Sequence, residues 1–201
     1  MAEETSAPPP SRPPPRTRNA AATREAILRS ARTAFGRAGY DGVGVREIAQ
    51  GAGVTAMLIN RYFGSKEQLF AQVVADTMAQ PVILTDQTLG ATDLAGDIAR
   101  GLVGMTQPGA PTLDGFMIMF HSASSPRAAQ IARDQIQAHH QKTMAAALDG
   151  PLAAERAALV LAVVAGVQSM RQMVGLSALT DADPQALVAL ITSMLRGLIE
   201  G

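Results

Sequence analysis

Between Val45 and Phe70 three short apolar-periodic segments follow one another almost without a gap. They are Val45–Gln50, Thr55–Phe63, and a third that opens Lys66-Glu67-Gln68-Leu69-Phe70 behind a capping Ser65. Helices this short do not persist alone in water, because nucleation fixes several dihedrals for a single hydrogen bond. They must pack on one another and on a longer partner. The preceding segment supplies one: Thr23 can cap it, Glu25 suits its positive first turn, and Ile27, Leu28, Ala31 and Phe35 share a face. Gly39-Tyr40-Asp41-Gly42 is turn chemistry that ends that helix. A small helical cluster is therefore expected over residues 20–66.

Beyond Asp76 the pattern stays helical, with breaks at Pro81, Pro108 to Pro111, Pro126, Gly150-Pro151 and Ser177 to Pro184. No stretch sustains period-two alternation of β-branched residues, so the chain is expected to be all-α. Residues 1–19 hold six of the twelve prolines and no aliphatic side chain larger than Ala after Met1, the composition of a disordered tail. Its Arg12, Arg16 and Arg18 suit either an arm along phosphates or an inert tail. The acidic start Ala2-Glu3-Glu4 is unlike a secretory leader, and the longest run without a polar side chain, Ala157–Val167, is eleven residues, short for a bilayer span. The expectation is a cytoplasmic protein without a membrane segment.

Net charge is zero but unevenly placed. Residues 16–70 hold nine Arg or Lys against four Asp or Glu, while 71–201 hold seven against eleven. One end is thus suited to a polyanion, although such a segment can also be a solvated face. Within the basic part, Ala49, Gly53 and Ile59 have helix-turn-helix spacing. Ala49 lets a second helix cross closely, Gly53 tolerates the positive φ of the turn, and Ile59 fills the angle between the helices. Ile48, Ala52 and Val54 are apolar where burial is required. On the second helix Ile59, Tyr62 and Phe63 form an inward stripe, leaving Ala56, Met57, Asn60 and Arg61 outward. Short apolar groups there suit thymine methyls, and Asn or Arg suit purine edges. Thr55, at the start of that helix, offers free N–H groups to a phosphate.

Val45-Arg46-Glu47-Ile48-Ala49, Gly53-Val54-Thr55 and Arg61-Tyr62-Phe63-Gly64-Ser65-Lys66-Glu67-Gln68-Leu69-Phe70 together resemble the DNA-binding segment of the tetracycline-repressor (TetR) family. The resemblance covers residues 20–70 closely and the remainder loosely. It implies that Arg46 reaches a base edge and that Thr55, Tyr62 and Lys66 hold phosphates. It also implies that 67–201 form a helical ligand-binding and dimerisation domain. Met57, Leu58 and Asn60 depart from the family's usual Gly-Thr-Leu-Tyr, and Gly44 replaces its hydroxyl cap, so an operator borrowed from a relative is unsafe.

The C-terminal part fits a dimer of this kind. Ala157–Met170 carries no charge, and Leu159, Val160, Leu161, Val163, Val164 and Val167 cover all its sides. The last helix opens with the cap and first-position proline Asp183-Pro184, and places Leu187, Ile191, Met194 and Leu198 at heptad-like spacing, with Val188 and Leu195 widening the stripe. Helices near 152–176 and 184–199 match the family's two-fold four-helix interface, although either alone suits a monomer core. Eight of the ten methionines follow residue 75, against two of seven aromatics. Met105, Phe116, Met117, Phe120, Met170 and Met173 are candidates to line a pocket for a small apolar ligand, and also for plain core filling. His121, Gln137, His140 and Gln168 are polar groups able to orient a ligand there, or ordinary side chains.

Enzyme chemistry finds no footing. There is no cysteine, no phosphate loop and no Gly-x-Ser-x-Gly elbow, and three histidines without acidic partners make no metal site, so neither cofactor nor metal is expected. The reading is a homodimeric repressor on a near-palindromic duplex, released when a ligand favours a conformer with Lys66–Met78 swung. The alternative is a dimeric helical scaffold, or an activator without an inducer.

Overall fold

The computed structural model describes residues 16–79, 82–110 and 113–201. Those residues form helices joined by turns, with no strand among them: α1 (Arg16–Ala38), α2 (Val45–Gly51), α3 (Ala56–Phe63), α4 (Lys66–Met78), α5 (Asp86–Leu89), α6 (Leu94–Met105), α7 (Asp114–Ser122), α8 (Pro126–Ile136), α9 (Lys142–Ala146), α10 (Ala153–Gln168), α11 (Ser177–Thr180) and α12 (Pro184–Ile199). π-helical turns at Gln137–Gln141 and Ser169–Val174 carry α8 into α9 and extend α10. Of the expected tail, residues 1–15, with Arg12, lie outside the described residues. The backbone of 16–19 is already helical, so α1 starts seven residues before Thr23.

Two apolar cores result. In the first, Ile27, Leu28, Ala31 and Phe35 of α1 meet Ile48, Ala49, Ile59 and Phe63. Leu69, Phe70, Val73, Val74 and Met78 of α4 complete it together with Ile118, Ala128 and Ile131. The boundary expected at residue 66 thus falls at the start of a helix that belongs to this core. The aromatic contacts explain why: Phe70 meets Phe35 edge-on at 5.1 Å and Tyr40 at 5.0 Å. Ser65 caps α4 as expected, its hydroxyl accepting from the Gln68 N–H at 3.1 Å.

The second core joins Leu94, Ile98, Ala99 and Leu102 of α6 to Met144, Ala157 and Val160, and to Leu187, Ile191 and Leu195 of α12. Asp183 caps α12 by accepting from the Ala186 N–H at 2.9 Å. Of the expected stripe, Leu187, Ile191 and Leu195 are buried toward α6, whereas Met194 is 48% exposed on the outer side.

Within the first core, α7 and α8 are fastened to the helix-turn-helix segment where α1 ends. Gly39 has φ +68°, and a Cβ there would lie 2.2 Å from the His121 carbonyl oxygen, so only glycine serves both the turn and the contact. The Tyr40 N–H donates to Ser122 Oγ at 2.9 Å, and Arg127 of α8 pairs with Glu67 of α4. Ala153–Val174 is a continuous 22-residue helix whose most apolar 18-residue stretch has mean hydropathy 1.5, enough by length and composition alone to cross a membrane. The helix continues beyond the uninterrupted apolar run 157–167 at both ends. Its Ala157, Val160, Gln168 and Arg171 are nonetheless buried within the protein.

Candidate nucleic-acid interface

The α2–turn–α3 unit has the geometry its spacing predicts. Ala49 is buried at the crossing, Ile59 is fully enclosed, and Gly53 takes φ +68°. The turn closes through the Val54 N–H to the Ala49 carbonyl at 2.9 Å. Two residues missed in the sequence hold α2 on α1. Ser30 Oγ donates to the Ile48 carbonyl at 2.8 Å, and Gly51 leaves room for it, since a Cβ there would lie 2.4 Å from that hydroxyl. The glycine inside an otherwise regular short helix was the available signal. Gly44 precedes α2 without a side-chain cap.

Thr55, Met57, Asn60 and Arg61 are exposed along α3, and Arg46 is exposed on α2. Met57 is 80% exposed, the most exposed of the large apolar side chains among the described residues. A methionine on the open face of an eight-residue helix gains nothing from water and suits a surface that meets another molecule. Ala56 differs from the outward placement expected of it: it is half-buried and packs against the first core. Tyr62 is also half-buried against that core, in keeping with an inward stripe. Thr55 flanks α3 in extended conformation with no side-chain cap bond, leaving first-turn N–H groups open to an acceptor. Lys66 is half-buried, with Nζ 4.4 Å from the Tyr40 ring centre, and Arg24 lies 5.1 Å over Phe63. Neither aromatic support was read from the sequence, because each partner comes from another helix.

Behind this unit lies a cavity of about 510 Å³. Its wall combines Arg32 of α1, Asp76, Thr77 and Met78 of α4, and Leu113, Gly115, Phe116 and Met119 at α7. Met105 of α6, Ile136, His140, and Leu161, Val164 and Gln168 of α10 close it. Of the ligand candidates, the structure brings Met105 and Phe116 to this wall, with His140 and Gln168. It does not bring Met117, Phe120, His121, Met170 or Met173 there. His121 Nδ1 faces the Gly36 carbonyl at 2.6 Å, Phe120 is 47% exposed, and Met170 points out from α10. Gln137 is exposed. Methionine content alone could not separate these positions, because wall and outer surface alternate within one helical turn. Burial, and secondarily the neighbouring His139, lowers the His140 pKa, so its imidazole is neutral near pH 7. Among the described residues no group of His, Asp or Glu is arranged to hold a metal.

The comparisons agree with this architecture. Residues 27–73 match the family described as bacterial regulatory proteins, tetR family, and residues 93–199 match the tetracyclin repressor-like C-terminal domain. No curated protein sequence matches the chain. Among solved structures, a TetR-family regulator from Streptomyces coelicolor is 22% identical, covering 96% of this chain and 100% of its own, with TM-score 0.58. GusR from Salmonella enterica is 17% identical over 89% of this chain and 96% of its own, with TM-score 0.69. The multidrug binding protein EbrR, solved with ethidium, is 19% identical over 88% and 98%, with TM-score 0.60. At these identities the likeness is one of fold. With both domain matches spanning most of an all-helical chain, the protein belongs to the TetR family and is a DNA-binding transcription regulator, not an enzyme.

Proposed function

We propose that this protein is a cytoplasmic, homodimeric repressor that leaves a near-palindromic operator when a small, largely apolar molecule enters the cavity. The observation that carries the reading is the exposed α3 face, where Met57, Asn60 and Arg61 stand clear of the protein's own core. In a major groove Met57 meets thymine methyls, Asn60 reads adenine and Arg61 guanine or phosphate, with Arg46 reaching from α2. Ala56 lies at the edge of that surface. Thr55, Tyr62 and Lys66 hold phosphates and set the register.

Dimerisation is supported by what the monomer leaves uncovered. On α10 and its extension, Leu159, Met170 and Val174 are 52%, 38% and 60% exposed, and on α12 Leu190 and Met194 are 70% and 48% exposed. Two adjacent helices with bare apolar faces fit a two-fold four-helix interface. This would also cover the outer side of the long apolar helix. The two α3 helices then enter successive major grooves, about 34 Å apart. In this reading residues 20–66 are the DNA-binding unit and 67–201 the ligand and dimer unit.

Release follows from which helices share the cavity. Thr77 of α4 and Gly115 of α7 approach closely there, since a Cβ added to Gly115 would lie 3.0 Å from Thr77 Oγ1. The far end of α7 grips the end of α1 through His121 and the turn after it through Ser122. A ligand that separates α4 from the start of α7 therefore swings α4 and shifts the helix-turn-helix as well. It does so only by binding the released conformer more tightly. Selecting duplexes from a random pool, then measuring affinity against salt, tests the core of this reading. A palindromic consensus bound by two chains with a steep salt slope is expected; indifference to duplex, or binding by single chains, would sink it.

A further inference from the structure

We propose that the cavity receives an amphipathic molecule with an acceptor-bearing, carboxylate-type head, bound by the Arg32 guanidinium, while the Gln168 carboxamide holds a polar atom further along it. This rests on the ligand-responsive reading above and names its ligand class.

The argument begins with two buried donors. Arg32 Nε and Gln168 Nε2 are enclosed yet have no hydrogen-bond partner among the described residues. Gln168 is only 4% exposed. Both residues lie on the cavity wall, one at α1 and one at α10. Buried donors are ordinarily paired, since an unmade bond forfeits the hydration they lost. The chain's one buried arginine among the described residues is, by contrast, well paired. Arg171 donates to the Val103 carbonyl at 3.0 Å, to Thr106 Oγ1 at 2.5 Å and to the Leu179 carbonyl at 3.1 Å. Arg32 has no such set, and no carboxylate lies within ion-pair range of it among the described residues.

The other charged groups at the cavity do not replace a ligand. Asp76 accepts from Gln72 Nε2 at 2.8 Å, and Asp114 is exposed in the first turn of α7, where the helix N-terminus favours it. His140 is neutral, for the reason given above. The rest of the wall is largely apolar, with Met78, Met105, Phe116, Met119, Leu161 and Val164 available to a hydrocarbon body. A guanidinium without a counter-ion at the edge of such a wall matches a carboxylate better than a neutral or cationic head. Because Arg32 belongs to α1, the head group would pull directly on the DNA-reading lobe.

Calorimetry on the full chain with decanoate, decanol and decylammonium tests this, since the three share one body and differ in head. Decanoate should bind roughly tenfold to a hundredfold more tightly than the other two. Arg32→Met should abolish that preference while leaving decanol affinity unchanged, and Gln168→Leu should weaken decanoate less. Neither variant should melt below the parent without ligand, because each removes an unpaired buried donor; should Arg32→Met fail to fold, Arg32→Gln makes the same comparison. Leu161→Trp, which fills the cavity, should exclude all three probes. Equal binding of the three, preference for decylammonium, or a preference surviving Arg32→Met would overturn the head-group assignment and leave the cavity reading intact. Failure of every probe to bind the parent would overturn both.

Discussion

His121 Nδ1 lies 2.6 Å from the carbonyl oxygen of Gly36, joining the last turn of α7 to the last turns of α1. A carbonyl only accepts, so Nδ1 carries the proton. His121→Phe keeps the ring volume and removes the bond. We expect unfolding free energy to drop by about 0.5–1.5 kcal/mol in urea titrations, and ligand to displace the variant from duplex less effectively. Unchanged stability and unchanged release would show that this bond couples nothing.

The side chains proposed to contact duplex should separate into two classes. Asn60→Ala and Arg61→Ala should each relax discrimination at one base pair by about 1–3 kcal/mol. Lys66→Ala should weaken binding to all duplexes alike and lower the salt slope by about one. Competition binding with single-base variants of the selected duplex checks both.

The bare face of α12 gives a solution test. Leu190, 70% exposed, adds little to the monomer core, so Leu190→Glu should fold with unchanged helicity. It should sediment as a single chain and lose most of its duplex affinity, because a buried carboxylate opposes its symmetry mate. A dimer that persists would move the interface elsewhere.

Acid should loosen the contact between α6 and α12. The Gly96 N–H, 3.2 Å from Asp93 Oδ1, and secondarily Arg196 hold the Asp93 carboxyl below its ordinary range. Since the folded pKa is depressed, this stabilisation is present above the unfolded value, about pH 4, and fades as pH falls through and below it. Asp93→Asn should flatten that part of the profile in thermal melts taken between about pH 6 and pH 3. An identical acid limb would show that other carboxylates control it.

Arg171, 5% exposed, binds the end of α6 to α11 through carbonyls and a hydroxyl, without a carboxylate. Removing it takes a donor from each of these acceptors, of which the Val103 carbonyl and Thr106 Oγ1 are buried. Arg171→Ala should cost about 1–3 kcal/mol, and Arg171→Lys should recover only part, since a single ammonium cannot span the same fork. Denaturant midpoints of the two variants decide this.

The helix-turn-helix was legible in the linear chain because its determinants, Ala49, Gly53, Ile59 and the capping Ser65, act on neighbours within a turn or two. Periodicity likewise identified the all-helical class and the cap at Asp183. The cavity was not legible in that way. Arg32, Thr77, Phe116 and Gln168 come from four helices, and residue type cannot tell which methionines on α7 or α10 face inward. Met119 lines the wall while Met117 does not, because packing sets the angle at which each helix meets its neighbours. Local backbone preference depends on sequence separation, which the chain displays. The convergence of unpaired donors on one cavity depends on long-range packing, which only folding brings about.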